Sequence, residues 1–475
     1  MDKKIIEFLE TKQIKVISDK TENEIEIWRS WYRGHVDKFH DYKIYTGKRT
    51  INAERKSMNM ASKVCQRWAD LLLNEKVEVN ALDEYTQTRL RELLQSVNFF
   101  IRGNNLIEYA FALGGGFFIQ YWDGVKTCQK YVSQDYMYPI TYDSGRLTEA
   151  AFASRKVIDG VLYTYLETHL LGRDETYIVD NVLLQKQENS ELREVGEDFY
   201  KAHGILPKWE TGLKTPLFQS VRPNIANRNC FDSPFGQSVF SGATDILKAI
   251  DAVYDSYYKE FILGKKRTFV NEGVLRAVID PVSNTETMAF DPNDEVFYSV
   301  YTDDETKEPI KESNPELRVD AHDTALQTQL SCLSQAVGFG GSGFRWNDGN
   351  VSTATQIISE NSEMFRALKK HESLLSETII NMCRGLLHVE RIFGGDLKLK
   401  PETEITVDFD DSIIEDTGEI KRQALLELNA GLIDNIEYYM RVYKLTEAQA
   451  VDFKKKMDAR TPSPEEEPIP EGDFE

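Results

Sequence analysis

A chain of 475 residues, 41% hydrophobic and 28% charged, is long enough for two or three cores and ordinary enough in composition to fold in water. Its 22 Tyr and 24 Phe exclude global disorder. Lys and Arg number 57 against 78 Asp and Glu, a formal charge of −21 at neutral pH that repels phosphate and excludes an ordinary basic-surfaced nucleic-acid reader, so any meeting with DNA is local or loose.

Helical periodicity dominates the first hundred residues. Met60, Val64, Trp68, Leu71 and Leu72 fall on one stripe, with Asn52 available upstream as a cap. Residues 102–113 predict another helix, broken by Gly114, Gly115 and Gly116. From 117 to about 190 the period shifts towards two, with turn signals at WDG, YDSG, VIDG and LGRD, which predicts an antiparallel meander. The stretch 221–237, rich in Pro, Asn and Asp, reads as an irregular connection.

A helix over 238–264 follows, with Ile246, Ile250, Val253, Tyr257 and Phe261 on one stripe. Its length, roughly 40 Å at ~1.5 Å per residue, predicts an element without a partner in its own chain. Short β-like runs and an acidic loop fill the span to 317, and a second helix over 318–336 carries Leu326, Leu330, Leu333 and Val337 on one face. Then comes the glycine-rich VGFGGSGFRWNDGN of 337–350, and a third helix from Ser352 or Thr353 to Phe393. The C-terminal part predicts a strand, TEITVDFDD, three small helices, and an acidic, proline-rich tail over 461–475 that should be disordered.

Candidate chemistry fails on context. Gly338, Gly340 and Gly343 fit a G-x-G-x-x-G spacing, but a dinucleotide pocket needs a buried strand before the first glycine, and the residues there have helical spacing. A P-loop needs a glycine five positions before its Gly-Lys, where Gly47-Lys48 has Tyr42 and Gly264-Lys265 has Lys259. The seven histidines form no close ligand pair; His35 and His40, five apart, would diverge on a helix. No G-x-S-x-G elbow occurs. Asp408, Asp410 and Asp411, with Glu415 and Asp416, read as a strand edge and a helix cap, or alternatively as the centre of a metal-dependent phosphoryl-transfer enzyme. No catalytic residue, metal or cofactor is expected.

Cys65, Cys128, Cys230, Cys332 and Cys383 are far apart and form no C-x-x-C pair, which predicts reduced thiols in a cytosolic setting. The N-terminal MDKKIIEFLETKQIKV has no signal-peptide apolar core, and no uninterrupted apolar run reaches about 18 residues, so no membrane partner is expected.

The order of elements is more informative than any single motif. WRSWYRGH at 28–35, the stretch ending at Val79, GGGFFIQYWDG at 114–124, YMYPITYDSGRLTEAAF from 136, FDSPFGQSVFSGATDILKAIDAVYDSYYKEF from 231 and VDFDDSIIED with the helices after it resemble, in that order and spacing, the portal proteins of tailed bacteriophages infecting Gram-positive bacteria. The likeness covers about 25–455. It implies an α+β portal fold: residues 1–237 with the helix of 352–394 as the wing, 238–264 and 318–336 as long stem helices, 265–317 as a small β-containing clip, 337–351 as a tunnel loop, and 395–460 as a last wing strand and crown helices.

The resemblance further implies a homo-oligomeric ring, typically of twelve copies, at one capsid vertex, assembled in the host cytoplasm and retained in the virion. Double-stranded DNA would pass through it non-specifically. Its partners would be the terminase large subunit, a head-completion adaptor, and the major capsid and scaffolding proteins. Phe344, Arg345, Trp346 and Asn347 would meet DNA in the channel, and Ile246, Ile250, Val253, Tyr257 and Phe261 would pack the stem. Lys265, Lys266 and Arg267 are either a solvated helix end favoured by the dipole or a basic ring at the channel mouth.

Overall fold

The computed structural model describes residues 2–18, 20–45, 47–74, 77–186, 191–271, 277–279, 286–288, 297–300, 310–341, 343–344, 354–409, 417–443, 445 and 447–458. Two units form, Met1–Phe409 and Asp410–Glu475. Helices and mainly antiparallel sheets make the first unit an α+β structure.

Helix Met60–Leu72 buries Met60, Val64, Trp68 and Leu72 as the stripe predicts, and Leu71 is half-buried. Its cap is not Asn52. The residue at that place is Asn59, in the left-handed region at φ 53°, while Asn52 lies in strand Thr50–Glu54, paired antiparallel with Asp41–Tyr45. This hairpin lacks the apolar alternation that marks a half-buried strand, which is why helical periodicity masked it. Helix Phe99–Leu113 packs on Met60–Leu72 and stops at Gly114, whose φ of 88° is a left-handed cap suited to glycine. A Cβ on Gly236 would lie 1.9 Å from the Gly114 carbonyl oxygen, so two backbones cross here with no room for a side chain.

The predicted meander is real in its strands but divided between two sheets. Gly116–Trp122 pairs with Thr127–Ser133 and with Phe218–Val221, a strand from the far side of the sequence. The 3-10 turn Gln134–Tyr136 then leads the chain into a second sheet, where Met137–Asp143, Arg146–Ile158, Val161–Leu171 and Tyr177–Lys186 are consecutive neighbours. Period-two alternation reports strands and cannot report which sheet each joins. The turn signals held: Ser144 and Gly145 (φ 49° and 74°), then Asp159 and Gly160 (49° and 78°), form two-residue hairpin turns with both φ angles positive.

Helix Ala354–Phe393 has 40 residues and lays Leu375, Ile379, Met382, Leu386 and Leu387 against the first sheet and its surroundings. Strand Ile405–Asp408 pairs with Glu78–Ala81, a strand the sequence did not announce. In the second unit, helices Thr417–Asn429, Asn435–Tyr443 and Glu447–Asp458 match the predicted trio. Asp434 caps the middle one through Glu437 N–H (2.7 Å), and Tyr439 meets Phe453 at 5.1 Å. The expected disordered tail lies outside the described residues. All five cysteines are free, and no described helix is long and apolar enough to cross a membrane.

Candidate functional site

The most distinctive construction is a pair of helices, Thr244–Leu263 and Val319–Ala336, with a small β module at one end and the glycine segment leaving the other. Two expectations about the first helix are corrected. It starts at Thr244 rather than at 238, because Ser241 N–H bonds Ser238 O and Ala243 N–H bonds Phe240 O (2.9 Å each), so 238–243 are turns and the helix spans only about 30 Å. It also has a partner in its own chain, since it packs along Val319–Ala336. On that second helix Leu326, Leu330 and Leu333, with Val337 just beyond, are buried as predicted.

The stripe of the first helix is only partly covered. Ile250 is buried, Ile246, Val253 and Tyr257 are half-buried, and Phe261 is 47% exposed. The chain also buries Leu247, Asp251 and Asp255, and the two carboxylates bind the segment around 36–58. Asp251 accepts from Met58 N–H (2.8 Å), Ser57 Oγ (2.9 Å) and His40 Nε2 (3.1 Å). His40 Nδ1 accepts from Val36 N–H (2.8 Å), so the ring is used at both nitrogens and its proton sits on Nε2. Asp255 accepts from Lys56 N–H (3.1 Å) and Lys259 Nζ, and Lys259 also reaches the Tyr42 hydroxyl. Sequence reasoning missed this anchor. Its signal was two aspartates one turn apart, Asp251 and Asp255, flanked by the apolar Ile250, Ala252, Val253 and Tyr254.

Towards the β module, Arg318 donates its Nε to Glu260 Oε1 (3.0 Å) and its Nη2 to Oε2 (2.7 Å), and its backbone N–H also reaches Oε1 (3.1 Å). These bonds from Arg318 hold the Glu260 carboxyl down to about 2. The Tyr257 and His322 rings stack at 5.6 Å beside them. Strand Arg267–Asn271 then pairs antiparallel with Ile310–Ser313 and parallel with Phe297–Val300. The three expected basic residues have different settings. Lys265 is exposed, Lys266 pairs with Glu312 at 2.8 Å, and Arg267 is half-buried in its strand.

At the other end Val319–Ala336 closes on a left-handed Gly338 (φ 88°), with Phe339 N–H bonded to Ser334 O (2.9 Å) and Gly338 N–H to Gln335 O (3.2 Å). This folds Phe339 onto Trp68, ring to ring at 4.7 Å, and the Trp68 indole N–H donates to Val337 O (3.2 Å). Arg67 lies over the Phe339 ring and bonds the Gly343 carbonyl, and Phe344 meets Phe339 edge-on at 5.4 Å. The glycines therefore serve close folding against Trp68, with a helix and no strand before them, and the dinucleotide reading stays excluded. Phe344 is half-buried in this contact; Arg345, Trp346 and Asn347 lie outside the described residues. His371 closes the cluster against Trp68 at 4.7 Å, and burial pushes it down to about 4.

Other candidates are less productive. His35 and His40 do not diverge: the helix Asp37–His40 starts between them, and their rings stack at 5.4 Å. Among the described residues, His35, Asp37 and Asp41 are the group that could hold a metal ion, and all three are exposed. Asp408 is exposed on its strand, while Asp410 and Asp411 lie outside the described residues. A cleft of about 550 Å³ between the two sheets contains Lys130 and Glu167. Burial pushes Glu167 up, but Lys130 and His169 outweigh it and hold the carboxyl at about 2.

Among the described residues no nucleophile, base and oxyanion donors are gathered into one site. A family model described as "Phage portal protein, SPP1 Gp6-like" matches residues 11–460. The chain belongs to that family of phage portal proteins. No curated protein matches it. Two solved structures are similar at 11% identity, each over 80% of this chain and 89% of the other: "Virion of native gene transfer agent (GTA) particle", TM-score 0.42, and "Neck of native GTA particle computed with C12 symmetry", TM-score 0.39.

Proposed function

We propose that this portal-family chain forms a ring, typically of twelve copies, at one vertex of a phage capsid, and that double-stranded DNA is packaged and ejected through its centre. The helices Thr244–Leu263 and Val319–Ala336 are the stem, the β module between them is the clip that docks the terminase motor and later the head-completion adaptor, and the second unit is the crown. The protein is then a structural component of the virion and not an enzyme.

The observation that carries this reading is the uncovered C-terminal end of the first stem helix. Tyr258, Phe261, Ile262 and Leu263 are 49%, 47%, 42% and 62% exposed in the single chain, at the end of a helix already paired along its length. Large apolar side chains crowded on one helix end mark an interface, and a copy of the same helix in a ring covers them. Net negative charge suits a conduit, because strong attraction to phosphate would hold the passing duplex.

Within the ring, Arg345, Trp346 and Asn347 meet the DNA, with Phe344 as the base of the tunnel loop on Arg67 and Phe339. Lys265, Lys266 and Arg267 lie at the stem–clip junction, where repetition around the ring makes a basic band. Replacing residues 345–350 by a Gly-Ser linker should leave rings intact and impair packaging, measured as DNA content of particles assembled with the variant. Particles filled as in wild type would overturn the loop assignment.

A further inference from the structure

We propose that the hairpin Asp41–Tyr45/Thr50–Glu54 is an arm that docks on the neighbouring copy, against the outer face of its strand pair Glu78–Ala81/Ile405–Asp408. The inference rests on the ring reading and adds a named contact to it.

The hairpin is complete in register, from Asp41↔Glu54 to Tyr45↔Thr50, yet open on both faces. Tyr45 is 72% exposed, and Ile44 and Ile51, directly opposite each other, are each 38% exposed. An isolated two-stranded hairpin is marginal in water, and both of its outer edges offer unpaired backbone groups. Its base is fixed to the stem helix by Tyr42, Lys56, Ser57 and Met58. In the distal part Ile44, Tyr45 and Ile51 are left exposed.

Charge identifies the occupant. Residues 41–56 hold five basic and two acidic side chains in a chain of net charge −21. Lys43 and Lys48 are exposed and have no carboxylate in ion-pair range among the described residues. The other strand pair has the opposite problem. Its inner face, Val79, Ala81, Ile405 and Val407, is buried or half-buried, and its outer face carries Glu78, Glu404 and Asp408. Glu78 and Asp408 stand directly opposite each other, an arrangement of like charges that destabilises a strand pair unless a cation relieves it.

The hairpin leads into the N-terminus of helix Met60–Leu72 and the acidic strand leaves its C-terminus, so about 20 Å of helix separates them. Two different, complementary patches on one chain make a head-to-tail contact, the kind that closes rings.

The test measures the protein concentration at which half the chain is in rings, by mass photometry. Lys43→Glu with Lys48→Glu, and separately Glu78→Lys with Asp408→Lys, should each raise it by at least about tenfold. The fourfold swap should restore it to near wild type. Equal melting temperatures of the variants separate assembly from folding, and wild-type assembly should itself weaken between about 0.05 M and about 0.5 M salt. Rings indifferent to both reversals, or to salt, overturn the docking while leaving the ring reading intact. A fourfold swap no better than either pair does the same. A wild type that stays monomeric throughout overturns both.

Discussion

Asp251 and Asp255 do at the residue scale what the apolar stripe of their helix does not: they fix helix Thr244–Leu263 to the segment that precedes Met60–Leu72. Removing Asp251 as Ala strands the His40, Ser57 and Met58 donors. Unfolding in denaturant should then fall by about 1–3 kcal/mol. Trp68, fully buried between Phe339 and His371, should lose about 3–5 kcal/mol as Ala in the same measurement. His371 adds a pH dependence. Its folded value of about 4 lies below its ordinary 6.5, so the unfolded chain binds the extra proton. That contribution is fully present above 6.5 and is lost as pH falls through the window. Thermal and denaturant melts should show about 2 kcal/mol lost between pH 7 and pH 5, and His371→Gln should remove most of this slope. Glu260 works lower: with its carboxyl at about 2, the Arg318 pair contributes above the ordinary glutamate range and is lost only as pH falls towards 2. None of these partnerships was legible in the sequence, because His40 and Asp251 are 211 residues apart and no local pattern links them.

Elements were far more legible, and the misses have a common physical cause. Val319–Ala336 and Ala354–Phe393 carry long apolar stripes, and both are found within one or two residues of expectation. The hairpin Asp41–Tyr45/Thr50–Glu54 was missed because it buries almost nothing, so its residues carry no period. The start of helix Thr244–Leu263 was misplaced because 238–243 keeps apolar residues for burial in turns, where Phe240 and Ala243 are 0% and 1% exposed. At the candidate site, the glycine segment was identified correctly as an interhelical connection, but its first half is held rather than loose. Gly338 needs its left-handed φ of 88°, and a Cβ there would also lie 3.2 Å from the Ala367 side chain. Gly338→Ala should therefore cost about 1 kcal/mol or more, read from denaturant melts, and disturb the placement of Phe339 on Trp68.

For the molecule as a whole, the proposed ring draws on family membership over residues 11–460 and on the exposed apolar end of Thr244–Leu263. The charge of −21 repels like copies as well as DNA, so rings of this chain need local complementarity and should be sensitive to salt. Length and element order made the architecture readable. The identity of each surface was not, because an interface between copies leaves no periodicity of its own in a single chain. The most direct measurement is electron microscopy of the purified chain with class averages in the top view. The account predicts closed rings with a central hole wide enough for a DNA duplex. A strictly monomeric species at high concentration, in both low and high salt, would contradict it.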